Sequence, residues 1–396
     1  MDILQRFKQM FSSRERDSAF QERLERLRAK APVPVFWLFG KTQSGKTSII
    51  KFLTGAEEAE IGQGFRPCTR FTREYHFPGP EAPLLTFLDT RGLDEPGYDA
   101  AEDLASLDGR AHVVIVTVKA LDHALENLHN HLRIIRRRGK QRPIVLALTC
   151  LHEAYPGRQH PLPYPFGKDG NVAEDRSADV SADLLRTLAA QRERFAGLFD
   201  HAVPLDLTPP AEGFHEPAYG GPELKETLLE SLPSAYRQTL LTLDEATGEL
   251  QDLYAARALP YIIGYSSLAA SAGAIPIPWV DLLLLPGIQT RMIYHLARLY
   301  GQPLSGERFV ELAGTLGLGM VVRQAAREVV KFIPVVGSVA GAALAGAATF
   351  ALGKAFCFYY SAVHKGHAPA AEELRRYYQE QLAHAEAMWK KREEAR

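Results

Sequence analysis

Gly40-Lys41-Thr42-Gln43-Ser44-Gly45-Lys46-Thr47 meets the phosphate-binding pattern G-x-x-x-x-G-K-[ST] at every fixed position, and the residues on either side decide what kind of domain carries it. Upstream, Val33 to Phe39 reads as a buried strand; downstream, Thr47 to Leu53 reads as a short helix that Gly55 can end. A backbone that wraps a phosphate closely needs glycines at the ends of the loop, N–H groups aimed inward and the positive end of a helix. Lys46 then reaches the terminal phosphates and the Thr47 hydroxyl suits Mg2+. Gly40, Lys41, Thr42, Gln43, Ser44, Gly45, Lys46 and Thr47, with Ser48 behind them, form the expected nucleotide cradle. The alternative, a glycine turn without a nucleotide, does not require this strand–loop–helix setting.

The chain has 396 residues, enough for two or three domains, and 46% hydrophobic residues, enough for sizeable cores. A formal net charge of -1 argues against a general nucleic-acid binder. The three cysteines, Cys68, Cys150 and Cys357, have neither metal spacing nor a disulfide framework, which points to a reducing cytosol. His129 and His131 lie two apart on an expected helix and so on different faces, which suits solvated side chains better than zinc. At the start, Ile3, Leu4, Phe7, Met10 and Phe11 recur at helical spacing among basic residues, an amphipathic pattern without a secretory cleavage site. Packing on a domain is the first expectation for this segment and membrane-surface binding the second.

Between 31 and 233, apolar runs alternate with helical patterns, which predicts an α/β domain with a mostly parallel sheet covered on both faces. The polar stretch Ala56 to Phe71 lies where nucleotide switches place a threonine that senses the terminal phosphate and magnesium; Thr69 is the choice. Thr72, the competitor, already belongs to a strand over Thr72 to Phe77. The strand Leu84 to Leu88 is followed by Asp89-Thr90-Arg91-Gly92, in which Asp89 can hold magnesium through water and the Gly92 N–H can meet a γ-phosphate.

With these motifs the span from about Val33 to Pro233 resembles the translation-factor-related GTPases of the Era and TrmE type. The resemblance implies GTP and GDP as ligands and Mg2+ as cofactor, with Thr47, Thr69 and Asp89 at the metal and Lys46, Thr69, Gly92 and Gln43 in catalysis. Two positions depart from the family. Leu93 follows Gly92 where a glutamine often positions water, and leucine has no group to orient it. Gln43 is one replacement, holding K+ as the asparagine of related GTPases does; lining the loop is the equal alternative. After the strand Pro143 to Leu148 the guanine-reading [NT]-K-x-D is replaced by Thr149-Cys150-Leu151-His152, which keeps Thr149 but loses the lysine and the aspartate. His152 and Glu153 are the substitutes available. Leu151 to Gly170 reads as a long loop of functional or disordered character. A helix over Ala182 to Leu198 and a strand over Ala202 to Leu207 follow; Asp206-Leu207-Thr208 stands where relatives place a second base-contacting loop.

Beyond a linker helix over 234–258, the composition changes. Ala258 to Val280 and Phe332 to Gly353 are uncharged, each close to the roughly 20 residues that span a bilayer. Pro260, Pro276 and Pro278 interrupt the first run. In the second, Gly337 and Gly341 form a small-x-x-x-small pair, and the larger apolar residues supply only about -3 kcal/mol of insertion energy. Ile288, Met292, Ile293, Leu296 and Leu299 form one helical face between the runs. Asp281 reads first as a helix N-terminal carboxylate and second as an intramembrane acid. Ile275 to Tyr294 and Ile333-Pro-Val-Val-Gly resemble the domain of YcjF-type bacterial membrane proteins, which occurs fused behind GTPase domains and implies inner-membrane association. The chain closes on an amphipathic helix with Leu374, Tyr378, Leu382 and Trp389 on one side.

The expected organisation is N-terminal amphipathic helices over 1–30, a P-loop GTPase-like α/β domain over 31–233, the linker, an all-α apolar domain over 259–366, and the final helix over 367–396. The expected function is a slowly hydrolysing GTP switch coupled to helices on the inner leaflet of the membrane, cytoplasmic side, with self-association allowed and no nucleic-acid partner. A non-catalytic nucleotide-binding scaffold, and a soluble P-loop protein with a partner-binding bundle, are the alternatives.

Overall fold

Six apolar or glycine positions in a row, Val35–Gly40, leave no polar face, and a strand of that kind is stable only at the centre of a sheet covered on both sides. The computed structural model describes residues 33–56, 58–67, 72–90, 110–138, 142–167, 169–172, 180–233, 236–237, 239, 253–273, 284–301, 339–364 and 369–394. They fall into two units, 33–240 and 241–396, each taken by itself.

In the first unit the elements run β1 (Val35–Gly40), α1 (Lys46–Thr54), α2 (Glu58–Gly64), β2 (Arg66–Pro67), β3 (Thr72–Phe77), β4 (Leu85–Thr90), β5 (Val113–Lys119), α3 (Glu126–Arg138) and β6 (Ile144–Thr149), then α4 (Ala182–Arg194), β7 (His201–Pro204), β8 (Asp206–Leu207), β9 (Ala218–Tyr219) and α5 (Gly221–Ser231). Seven of the described strands form one sheet in the order β2-β3-β4-β1-β5-β6-β7. The pairs around β1, β5, β6 and β7 are parallel, and β2 and β3 add antiparallel to the β4 edge. This is the mostly parallel α/β domain that the alternation of apolar runs and helical patterns predicts. Trp37, Phe39, Val114, Val116, Leu146 and Leu148 bury one face of the sheet with Leu128, Leu132, Leu184 and Leu188 of α3 and α4.

Several boundaries shift for local reasons. Helix α2 and strand β2 occupy part of the polar stretch Ala56 to Phe71; Ile61 at full burial anchors α2 and a Cβ at Gly64 would stand 2.5 Å from the Tyr75 ring. Asp89 and Thr90 belong to β4 rather than following it, since both pair across to β3. Thr149 likewise completes β6, in register with Lys119. The loop after β6 is packed: a 3-10 turn spans Leu151–Ala154, and Tyr155, His160 and Phe166 are buried.

The second unit is helical among its described residues: α6 (Leu253–Gly273), α7 (Leu284–Leu299), α8 (Val339–His364) and α9 (Ala371–Glu394). Pro260 does not interrupt the first apolar run; it lies inside α6, buried, with helix on both sides. Proline removes one N–H and crowds the preceding turn, so packing of the flanking apolar residues must outweigh a cost of about 3 kcal/mol. Ile288, Met292, Ile293 and Leu296 form the buried face of α7, with Leu299 half-buried. A close helix approach is made at Gly353, where a Cβ would meet Ile262 at 2.8 Å and Met292 at 3.1 Å. Leu374 and Tyr378 of α9 are buried, and Tyr377 stacks on Phe358 of α8 at 4.6 Å. The expected N-terminal helices, Gly337, Asp281 and most of the linker lie outside the described residues.

Candidate functional site

The carboxyl end of β1 runs into the loop that the sequence singles out, and the loop's shape follows from its neighbours. Gly40 pairs with Thr117 of β5; a Cβ at Gly40 would lie 2.1 Å from Thr117 Oγ1 and 2.6 Å from its carbonyl oxygen, so only glycine fits there. Gln43 and Gly45 take left-handed backbone angles, φ 60 and φ 90, which turn the chain into the first turn of α1. The hydroxyl of Ser44, buried, lies 2.6 Å from Thr117 Oγ1 and donates to Lys41 O at 2.7 Å. Thr149, also buried, donates from Oγ1 to Ser44 O at 3.0 Å. Ser44 and Thr149 therefore hold the loop from beneath with their side chains, while Thr42, Gln43 and Thr47 are exposed and Ser48 half-buried.

Lys46 curls over this loop, donating to Gly40 O at 2.7 Å and Lys41 O at 2.8 Å, with Nζ 3.9 Å from Asp89 Oδ1. The end of β4 thus meets the start of α1, as a magnesium site built from Thr47 and Asp89 requires. Both offer oxygen, the donor a hard cation selects. Thr69, Gly92 and Leu93 lie outside the described residues.

A residue that the sequence did not single out anchors the other side of the loop. Lys41 Nζ is 2.9 Å from Asp122 Oδ2 and donates to Ala124 O at 3.3 Å. Burial pushes the Asp122 carboxyl up, but the Lys41 ammonium and the Ala124 N–H outweigh it and hold the group below the usual carboxylate range. Gln191 of α4 fixes the same turn by donating to Ala120 O and Asp122 O. No local motif marks Asp122; its partner is 81 residues away.

At the neighbouring strand ends, Cys150 turns the chain at φ 56 and starts the 3-10 turn. His152 donates its backbone N–H to Asp206 Oδ2 at 2.7 Å, and its Nδ1 lies 2.8 Å from the same oxygen. Glu153 pairs with Lys119 at 3.1 Å, a hydrogen bond that leads in raising the lysine above its ordinary range. Burial pushes the Cys150 thiol up. Around this turn the aromatic loop closes on the β8–β9 hairpin: His160 stacks between Phe214 at 4.3 Å and Tyr219 at 4.5 Å, and lies 2.8 Å from Tyr155 Oη. Tyr164 donates to Pro204 O and Tyr219 to Pro161 O. The loop after β6 and the segment after β7 are thus one packed body beside the phosphate loop.

Known proteins resemble this chain in two separate segments. The family profile described as 50S ribosome-binding GTPase matches residues 35–150, and that of a domain of unknown function, DUF697, matches 241–386. Magnetosome membrane protein 22 of Magnetospirillum gryphiswaldense is 34% identical over 135 residues, covering 31% of this chain and 68% of that protein. Among solved structures, the bacterial selenocysteine-specific elongation factor EF-Sec aligns at 19% identity and TM-score 0.30, over 51% of this chain and 29% of that one. The G domain of the T. maritima FeoB iron transporter aligns at 19% identity and TM-score 0.26, over 50% of this chain and 98% of that one. This chain thus spans under a third of the elongation factor.

Proposed function

The chain belongs to the family in which a P-loop GTPase domain of the Era and TrmE type is followed by a DUF697 domain, and from that membership we propose that it is a slow, Mg2+-dependent GTPase switch whose nucleotide state governs how its helical domain meets a membrane. The observation that carries this is the convergence of Lys46, Asp89 and the Gly40–Thr47 loop on one strand end, with Nζ and Oδ1 3.9 Å apart. When nucleotide enters, Lys46 would exchange the carbonyls of Gly40 and Lys41 for phosphate oxygens, while the N–H groups from Gln43 to Ser48 wrap the phosphates. Thr47, Thr69 and Asp89 would hold the magnesium, which when bound neutralises charge on the β- and γ-phosphates. Gly92 would donate its N–H to the γ-phosphate, and Thr69 and Gly92 together would be ordered by it.

Because Leu93 cannot orient water, intrinsic turnover is expected near ~10⁻⁴ to 10⁻³ per second. Potassium should raise it if Gln43, exposed at φ 60 at the loop tip, holds the ion with its amide oxygen. Gln43→Ala should then lose most of that stimulation in phosphate-release assays with K+ against Na+ at equal ionic strength. Full stimulation in the variant would remove Gln43 from the role. No turnover at all, with tight binding retained, would support a non-catalytic scaffold, the reading that Leu93 and the missing lysine and aspartate favour.

For the helical domain we propose a bundle docked on the inner leaflet, in contact with the cytosol. Ala342–Val363 is long and apolar enough to cross a membrane, yet 61% of its apolar window is buried within the protein. The bundle also carries polar bonds, Gln289 to Thr349 at 3.2 Å and Tyr265 with His295 at 2.7 Å. Two crossings would place Arg291, Arg298, Arg308, Arg323 and Arg327 outside, against the positive-inside tendency. The similar magnetosome protein is by its name a membrane protein, which supports the membrane assignment. Single cysteines at 308 and 396 in a cysteine-free background should both resist an impermeant reagent applied to intact cells. Labelling at 308 alone would indicate spanning, and protein found wholly in the soluble fraction would favour a partner-binding bundle.

A further inference from the structure

The lysine and aspartate that relatives use to read guanine are absent after β6, and the structure offers one group in their place. Thr149 is bonded to Ser44, so the end of β6 is pinned to the phosphate loop, and His152 follows within one turn. Asp206 accepts two bonds from His152 on a single oxygen, one from the backbone N–H and one at Nδ1. A carboxylate oxygen only accepts, so the hydrogen of this bond lies on Nδ1, and in the neutral tautomer of the ring that leaves the lone pair on Nε2. No other group among the described residues bonds that nitrogen. The side chain of His152 is 33% exposed whereas that of Asp206 is 4%, so the imidazole and not the carboxylate reaches solvent. Glu153 is occupied by Lys119.

We propose that His152, oriented by Asp206, is the base-specificity residue of this site, its Nε2 accepting from N1–H or the 2-amino group of guanine. Adenine presents a lone pair at N1 and would meet the Nε2 lone pair there. Asp206 acts as a positioning residue. The assignment rests on the nucleotide-binding function above and deepens it. One acceptor replaces the two oxygens of a carboxylate, so discrimination should be modest, roughly 10- to 100-fold for GTP over ATP.

The test is displacement of a fluorescent GTP analogue from the full-length protein by GTP and by ATP, read as the ratio of their affinities. His152→Ala should bring the ratio near one, and His152→Gln, whose amide can donate to Asp206 and accept from the base, should restore most of it. Asp206→Ala should bring the ratio toward one, because the ring loses the acceptor that fixes its Nδ1–H and with it the orientation of Nε2. A loss of stability alone would weaken both nucleotides equally and leave the ratio unmoved. A wild-type ratio in His152→Ala, or a wild-type protein without guanine preference, overturns the assignment while Lys46-dependent binding still stands. If Lys46→Ala also binds as wild type does, the nucleotide site itself has failed.

Discussion

Lys46→Ala is expected to lower the affinity for GTP by about 100-fold or more while the melting temperature stays within a few degrees of wild type. The two effects separate because of where the side chain lies. Nζ bonds Gly40 O at 2.7 Å and Lys41 O at 2.8 Å, both carbonyls of the phosphate loop itself. Those carbonyls lie at a loop that water reaches once the ammonium is gone, so the folded state loses little. The bound state loses a charge-assisted bond to phosphate of about 1.5–3 kcal/mol, and each 1.4 kcal/mol is tenfold in affinity. Further loss comes from Asp89, whose carboxylate would face the phosphates without the ammonium 3.9 Å away. Calorimetric titration with GTP and Mg2+, beside thermal melting, checks both halves. Undiminished binding would remove the phosphate-loop assignment, and a collapse in melting temperature would show that Lys46 supports the fold.

What the sequence discloses of this site and what it hides divide along chain separation. Gly40 through Thr47 can be recognised because eight consecutive residues carry the backbone geometry, and Asp89 because a strand ends beside it. The parallel sheet follows from apolar runs such as Val113–Lys119 and Ile144–Thr149, each buried nearly end to end. The supports of the loop cannot be read this way. Thr117 meets Ser44 across 73 residues, Asp206 meets His152 across 54, and Lys41 meets Asp122 across 81. Thr117 within β5 and Asp122 beyond it carry no local motif, and the sequence that marks Asp206 and His152 separately does not show that they pair. The helical unit shows the same limit: Gly353, which no spacing pattern marks, lies at a close approach to Ile262 and Met292, because which glycine faces another helix depends on helix rotation. Pro260 reads as a breaker locally and is overruled by burial.

Trp37→Ala should cost about 3–5 kcal/mol, a large share of the roughly 5–15 kcal/mol that keeps a domain folded. Trp37 is wholly buried on β1, between Leu88 of β4 and Val114 of β5 in register, with the Phe39 ring 5.8 Å away edge-on. Few neighbours can collapse into the space it leaves, since the central strand is fixed on both sides by hydrogen bonds. At roughly 2–4 °C per kcal/mol for a domain of this size, the melting temperature should fall by about 6–20 °C. Trp37→Phe separates packing from hydrogen bonding. Nε1 donates to Thr90 Oγ1 at 2.7 Å, and Thr90 Oγ1 is 3.2 Å from Thr72 Oγ1, so one buried chain ties β1, β4 and β3 beneath Asp89. Phenylalanine keeps most of the apolar volume and drops the donor, which should cost nearer 1–2 kcal/mol. Its sharper effect should be on magnesium, because Thr90 adjoins Asp89 and Thr72 opens the strand that follows Thr69. The Mg2+ concentration needed for half-maximal GTP binding should rise several-fold in Trp37→Phe, with Mg2+-independent GDP binding near wild type. A variant that melts lower yet keeps the wild-type Mg2+ dependence would show that this hydrogen-bond chain stabilises the sheet without positioning Asp89.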